Sequence, residues 1–202
     1  MPELKIHTYL LTASIFIGVA YLRKFSKQEY IIFGFVCYVL FVDLFAVFAI
    51  AGPNTWYYNI TGLVQQVSIL FFYAFIAPIR YKKTIFVIAI TTLILGLLNY
   101  TSGQGTDEFN SITITFFGLI IGLISYQLLR NIVLSRDVRR AASVGFLVAN
   151  LFYFVLTTTI LTSVPLLVKL DMPRATELFQ INHFAFSLWI VFITTGFIWT
   201  KR

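Results

Sequence analysis

The sequence predicts an all-α polytopic membrane bundle of seven transmembrane helices, with its N-terminus outside and its C-terminus in the cytoplasm. Three observations predict it. Of the 202 residues, 59% are hydrophobic and only 11% are charged, against about 25% charged in an average soluble domain. The apolar residues gather into seven runs near the length of roughly 17–25 residues that a helix needs to cross a bilayer. The basic residues sit in short clusters on alternate connectors, the pattern of a chain threaded through lipid.

The runs are Ile6–Leu22, Tyr30–Ala51, Tyr58–Ile79, Thr84–Tyr100, Ile112–Leu129, Ala141–Val168 and Leu178–Thr200, expected to form one transmembrane domain over 1–202. Met1 to Lys5 is weakly basic and no small-residue cleavage site follows, so the first run is expected to stay as a span. The fourth is short, and Lys82 and Lys83 at its start can reach toward the headgroups. The sixth is long and is expected to tilt, or to unwind near Pro165. Backbone polar groups in lipid need partners within the chain, which favours helices. The strict apolar/polar alternation of a barrel is absent.

Connector charge sets the direction. Arg23, Lys24 and Lys27, then Arg80, Lys82 and Lys83, then Arg130, Arg136, Arg139 and Arg140, and finally Lys201 and Arg202 fall on one side. The other side holds only Lys5, Lys169 and Arg174, and is mildly acidic through Glu3, Asp107, Glu108, Asp171 and Glu177. Positive charge stays in the cytoplasm. Tyr9, Trp56, Tyr57, Tyr58 and Tyr100 then fall at the outer boundary and Tyr21, Tyr30, Tyr81 and Trp199 at the inner one, the levels that amphipathic rings prefer. The net charge of +7 is explained by these clusters, and no nucleic-acid partner is expected. No connector is long enough to fold as a domain, so the helices and their turns carry the function.

Leu22-Arg23 and Leu129-Arg130 both close a span, and Asp43-Leu44-Phe45 and Asn150-Leu151-Phe152 both lie inside the next one, each pair offset by 107 positions. Gln65-Gln66 and Asn182-His183 match further on. This is the pattern of a possible 3+1+3 parallel repeat, or of apolar helices matching by chance.

Polar residues inside the spans are the candidate site. Asp43 lies ~20 Å along the second helix from Tyr30 at ~1.5 Å per residue, in the outer half of the core. A carboxylate near mid-bilayer costs about 2.5–3.5 kcal/mol on insertion scales, so it must pair, face water or carry a proton. It forms either a proton or ligand site or a hydrogen bond that fixes packing. His183 is its expected partner, and Gln180, His183 and Ser187 share one helix face. Asp43, Gln65, Gln66, Asn150, Tyr153, Thr157, Gln180 and His183 are expected to line a small polar pocket open to the outside and roofed by Trp56, Tyr57 and Tyr58. The alternative is that they bind helix to helix.

Other chemistry is missing. His7 and His183 are the only histidines, Cys37 is the only cysteine, and no metal-ligand spacing appears. No metal, cofactor or catalytic residue is expected, and the chain is not read as an enzyme. The last span has no lysine before Lys201, so a retinal Schiff base has no anchor. In outline the helices resemble the small sugar transporters of the SWEET and PQ-loop type, but no proline precedes a glutamine.

Arg23-Lys24-Phe25-Ser26 followed by Glu29-Tyr30, then Phe41-Val42-Asp43, then Asn54 and Tyr58-Asn59 resembles a group of uncharacterised small bacterial membrane proteins. Those resemble the membrane sensor regions of signalling proteins but lack an output domain. The resemblance covers about the first 60 residues and implies a bacterial inner membrane. The expected function is a sensor or receptor. It would take a small molecule or a proton from outside and meet a cytoplasmic protein, or anionic lipid, through Arg130, Arg136, Arg139 and Arg140. The alternatives are a small-solute or proton-coupled transporter and a structural or assembly subunit of a membrane complex.

Overall fold

The computed structural model describes residues 5–49, 55–103, 111–135, 141–170 and 172–200, with the side chains of residues 55, 111, 112, 135, 161, 164–170, 172–176 and 179 outside the description. The described chain forms α1 (Ile6–Tyr21), α2 (Lys27–Ala49), α3 (Thr55–Ile76), α4 (Ile79–Ser102), α5 (Ser111–Ser135), α6 (Ala141–Leu170) and α7 (Met172–Ile198), with a 3-10 turn at Leu22–Lys24. No strand occurs among the described residues. All seven helices are long and apolar enough to cross a bilayer. The chain is thus an integral, multi-pass membrane protein whose outer faces meet lipid.

The helix ends depart from the apolar runs where local chemistry outweighs hydropathy. α2 starts three residues before Tyr30 because Ser26 and Glu29 form part of a capping box: the Glu29 carboxylate accepts from the Ser26 backbone N–H, satisfying a donor the helix leaves open. α4 starts at Ile79, directly after Pro78, which lacks an N–H and cannot continue α3. Arg80, Lys82 and Lys83 therefore lie in its first turns. α5 runs past Leu129 to Ser135, carrying Arg130 on helix. α6 continues as one helix through Pro165, where unwinding was one expectation.

The chain separates into two compact units. The first contains the described residues of Met1–Ile50, Ser125–Tyr153 and His183–Arg202, that is α1, α2, the ends of α5 and α6 that flank their connector, and most of α7. Here α1 and α2 run antiparallel, as do α2 and α7, whereas α1 and α7 run parallel, as do α2 and α6. The first turn of α1 meets the later half of α2, where Thr8 bonds Asp43. At the opposite end Gln28 of α2 accepts from Ser143 of α6 at 3.1 Å, and Glu29 accepts from Thr200, just past α7, at 2.7 Å. This is the threading expected of connectors that alternate sides. The core is Leu11, Ile32, Val36, Phe146, Leu147, Ile190, Ile193 and Phe197. α6 and α7 touch through their backbones: a Cβ on Gly145 would sit 2.7 Å from the Phe192 carbonyl oxygen, and one on Gly196 would sit 3.0 Å from the Ala142 Cα. Small residues at such crossings let helices in lipid approach closely.

The second unit contains the described residues of Ala51–Ile124 and Phe154–Asn182. α3 and α4 are antiparallel. Tyr100 donates to the Asn59 carbonyl, Leu63 fills the space over Gly96, and Phe71 meets Phe86 at 5.5 Å. Asn99 donates to Thr113 at 3.3 Å, tying the end of α4 to the start of α5. Thr115 and Thr162 share a 2.6 Å hydrogen bond. Each unit draws on both halves of the sequence, so the units are not the two three-helix bundles of the expected repeat.

Candidate functional site

The chemistry of the first unit gathers at the end where α1 begins. Asp43 reaches α1 from α2, five positions after the aromatic Tyr38 and three before the buried Ala46. Its carboxylate accepts from the Thr8 hydroxyl and lies 3.3 Å from His7 Nε2. A carboxylate only accepts, so Nε2 carries the hydrogen. His7 is 5% exposed, and its Nδ1 is buried without a hydrogen-bond partner.

The His7 ring stacks on the His183 ring, with centroids 5.2 Å apart and planes inclined by 24°, an offset geometry that aromatic rings favour. Lys5, the last residue before α1, places Nζ 3.3 Å from His183 Nε2. An ammonium only donates, so this nitrogen accepts and the His183 hydrogen sits on Nδ1. Lys5, His183, His7, Asp43 and Thr8 thus form one continuous column of polar groups from three helices. Lys5 is exposed, His183 half-buried, and His7 and Thr8 buried.

Beneath the column lies an aromatic layer. Phe186 meets His7 edge-on at 5.3 Å and stacks on Trp189 at 5.5 Å with planes 16° apart. Trp189 Nε1 donates to Asn150 Oδ1 at 2.7 Å. Tyr153 packs on Phe186 at 5.7 Å. His183, Phe186 and Trp189 recur every three residues, one face of α7.

No family model, no curated protein and no solved structure matches the chain. The site is therefore read from its own chemistry.

Of the eight expected pocket residues, Asp43, Asn150, Tyr153 and His183 belong to the first unit. Gln65, Gln66, Thr157 and Gln180 belong to the second. Asp43 and His183 share the column through His7 rather than by a direct bond. Asn150 and Tyr153 support it from the aromatic layer. In the second unit Gln65 is half-buried, Thr157 is buried and Gln180 is exposed. Gln66 is 4% exposed with its Oε1 unpartnered. Ser187 donates to the His183 backbone carbonyl at 2.9 Å, so of the expected polar stripe on α7 this hydroxyl turns back on its own helix while the His183 ring meets α1. In the second unit the Tyr57 ring meets those of Trp56 and Tyr58 edge to face. Arg130 is exposed on α5, and Arg136, Arg139 and Arg140 lie outside the described residues.

Sequence reasoning did not assign Lys5, His7 and Thr8 to the site. The signal was available: His7 is the other of only two histidines, and in an antiparallel hairpin the first turn of α1 falls beside the later half of α2. Among the described residues no group of three or more His, Cys, Asp or Glu is arranged to hold a metal ion, and the Lys5 ammonium beside His183 opposes a cation there.

Proposed function

We propose that the protein is a membrane sensor that responds to protons at its outer face, with the His7–His183 stack as the responding element. The observation that carries this reading is the stack itself, held between a carboxylate and an ammonium. Imidazole is the side chain that changes charge near neutral pH. With both rings protonated, like charges 5.2 Å apart repel by about 3 kcal/mol at an effective dielectric of about 20. Asp43 lies against His7, while Lys5 lies against His183. The stack therefore loosens as pH falls. Phe186 and Trp189, packed directly beneath, carry the movement along α7.

Below the column, the buried residues of the unit include Leu11, Val36, Val39, Ile190, Ile193 and Phe197, together with Ser14, which accepts from Thr194 at 2.9 Å. The charge asymmetry of the connectors supports placing the column at the outer face and the Arg130–Arg140 connector in the cytoplasm, where it would meet a partner protein. The likeness of about 60 residues to uncharacterised small bacterial membrane proteins supports an inner-membrane location.

The test is Trp189 fluorescence in nanodiscs, with Trp56→Phe and Trp199→Phe removing the other two indoles. A change as the pH is lowered from 8 to 4 is expected, and it should vanish in His183→Gln. A flat profile in the parent protein sinks the reading. Proton flux into proteoliposomes that Asp43→Asn abolishes would assign a transporter instead.

A further inference from the structure

We infer that Lys5 and His183 form a binding site for a small oxyanion, a carboxylate or phosphate group, taken up together with a proton on His183. The inference rests on the reading of the histidine stack as proton-responsive and names what the protonated form holds.

The argument begins with the partners. Asp43, the carboxylate in the column, is engaged by His7 and Thr8 and acts on Lys5 only as a charge at longer range. Lys5 Nζ instead donates to a neutral ring nitrogen, and its side chain is exposed and carries two further N–H groups.

This contact has two mutually exclusive states. When His183 is neutral, Nε2 accepts from Lys5. When His183 is protonated, Nε2 carries hydrogen and has no lone pair to offer. The same 3.3 Å contact then sets two cationic donors against each other. An oxyanion seated between them accepts from both, and charge-assisted bonds of that kind are the strong ones. The groups facing His183 among the described residues are Lys5 and His7, from the start of α1, and Asp43 from α2. Asp43 cannot take the anion's place while it holds His7 and Thr8. Proton and anion are therefore linked: acid tightens the anion, and the anion by the same factor favours the protonated ring.

The anion can come from solution or from a lipid headgroup, since the site lies at a helix end and Lys5 is exposed. The experiment separates these sources. Full-length protein in phosphatidylcholine nanodiscs is titrated calorimetrically with acetate, and separately with inorganic phosphate, at pH 5.5 and 7.5, in two buffers of different ionisation enthalpy.

The expected result is binding at least about tenfold tighter at the lower pH, a coupling of about 1.4 kcal/mol, with uptake of a proton per anion. Lys5→Gln should abolish binding. His183→Gln should leave at most weak binding with no proton uptake, which a merely structural role for the ring would not produce. In phosphatidylglycerol nanodiscs, competition against added acetate identifies a headgroup as the occupant, and undiminished acetate binding identifies a free anion. Either supports the shared site. No binding of acetate or phosphate in phosphatidylcholine, or binding that survives Lys5→Gln, overturns it. If the Trp189 response to pH persists in anion-free buffer while anion binding is absent, only this inference fails. If the response itself is missing, the proton-sensing reading fails with it.

Discussion

Asp43 decides what happens at the scale of single residues. Its carboxylate has a charge-capable partner in His7 and a hydroxyl donor in Thr8, so removing either partner leaves a poorly compensated group in lipid. A double-mutant cycle of His7→Gln and Asp43→Asn, followed by thermal unfolding in detergent at pH 7, is expected to show a coupling of about 1–2 kcal/mol, within the range for contacting residues. Additivity to within a few tenths would mean that the two side chains act independently. Trp189→Phe keeps the ring stack on Phe186 but removes the donor to Asn150, and should lower stability by about 1 kcal/mol, read from the same melts. Asp43 and His183 could be picked out from the sequence because a carboxylate and an imidazole in an apolar run are conspicuous. His7 was less conspicuous, because it sits at a span boundary where a histidine is unremarkable, and only the hairpin geometry brings it to Asp43. Which residues meet across helices depends on rotation about each axis, and hydropathy does not encode rotation.

Helices α6 and α7 approach through Gly145 and Gly196, and the atoms in the way of any added Cβ there are backbone. Backbone cannot swing aside as a flexible side chain does, so the helices must part. Gly145→Ala is expected to destabilise by about 1–3 kcal/mol, the usual range for overpacking. Gly34→Ala on α2 is the control: nothing lies within 4 Å of the new methyl, and the better helix propensity of alanine should leave stability unchanged or slightly raised. Equal losses in both variants would remove the close approach as the explanation. At the foot of the same unit, Glu29 accepts from Ser26 at the start of its own helix and from Thr200 beyond α7. The existence of all seven helices was legible from length and apolarity. Their ends were less so, because Ser26, Glu29 and Pro78 act through backbone hydrogen bonding, to which an apolarity count is blind.

For the whole molecule, helices consecutive in sequence run antiparallel within each unit, and connector charge gives the threading a direction. Reporter fusions at Tyr81 should be active in the cytoplasm and those at Asp107 outside, and the reverse pattern would invert the assignment of the column to the outer face. The division into units was not foreseen, since internal similarity pointed to bundles of consecutive helices, whereas the first unit combines the two earliest helices with the last. That combination bears on how the protein is made. α1 and α2 leave the ribosome long before α7, so Asp43 meets the translocon with neither His183 nor Phe186 in existence. His7 and Thr8 precede it in the same hairpin and are already there. The hairpin thus brings its own hydrogen-bond donors into the bilayer, and the nascent chain has no need to shelter a bare carboxylate while the remaining helices are still being synthesised.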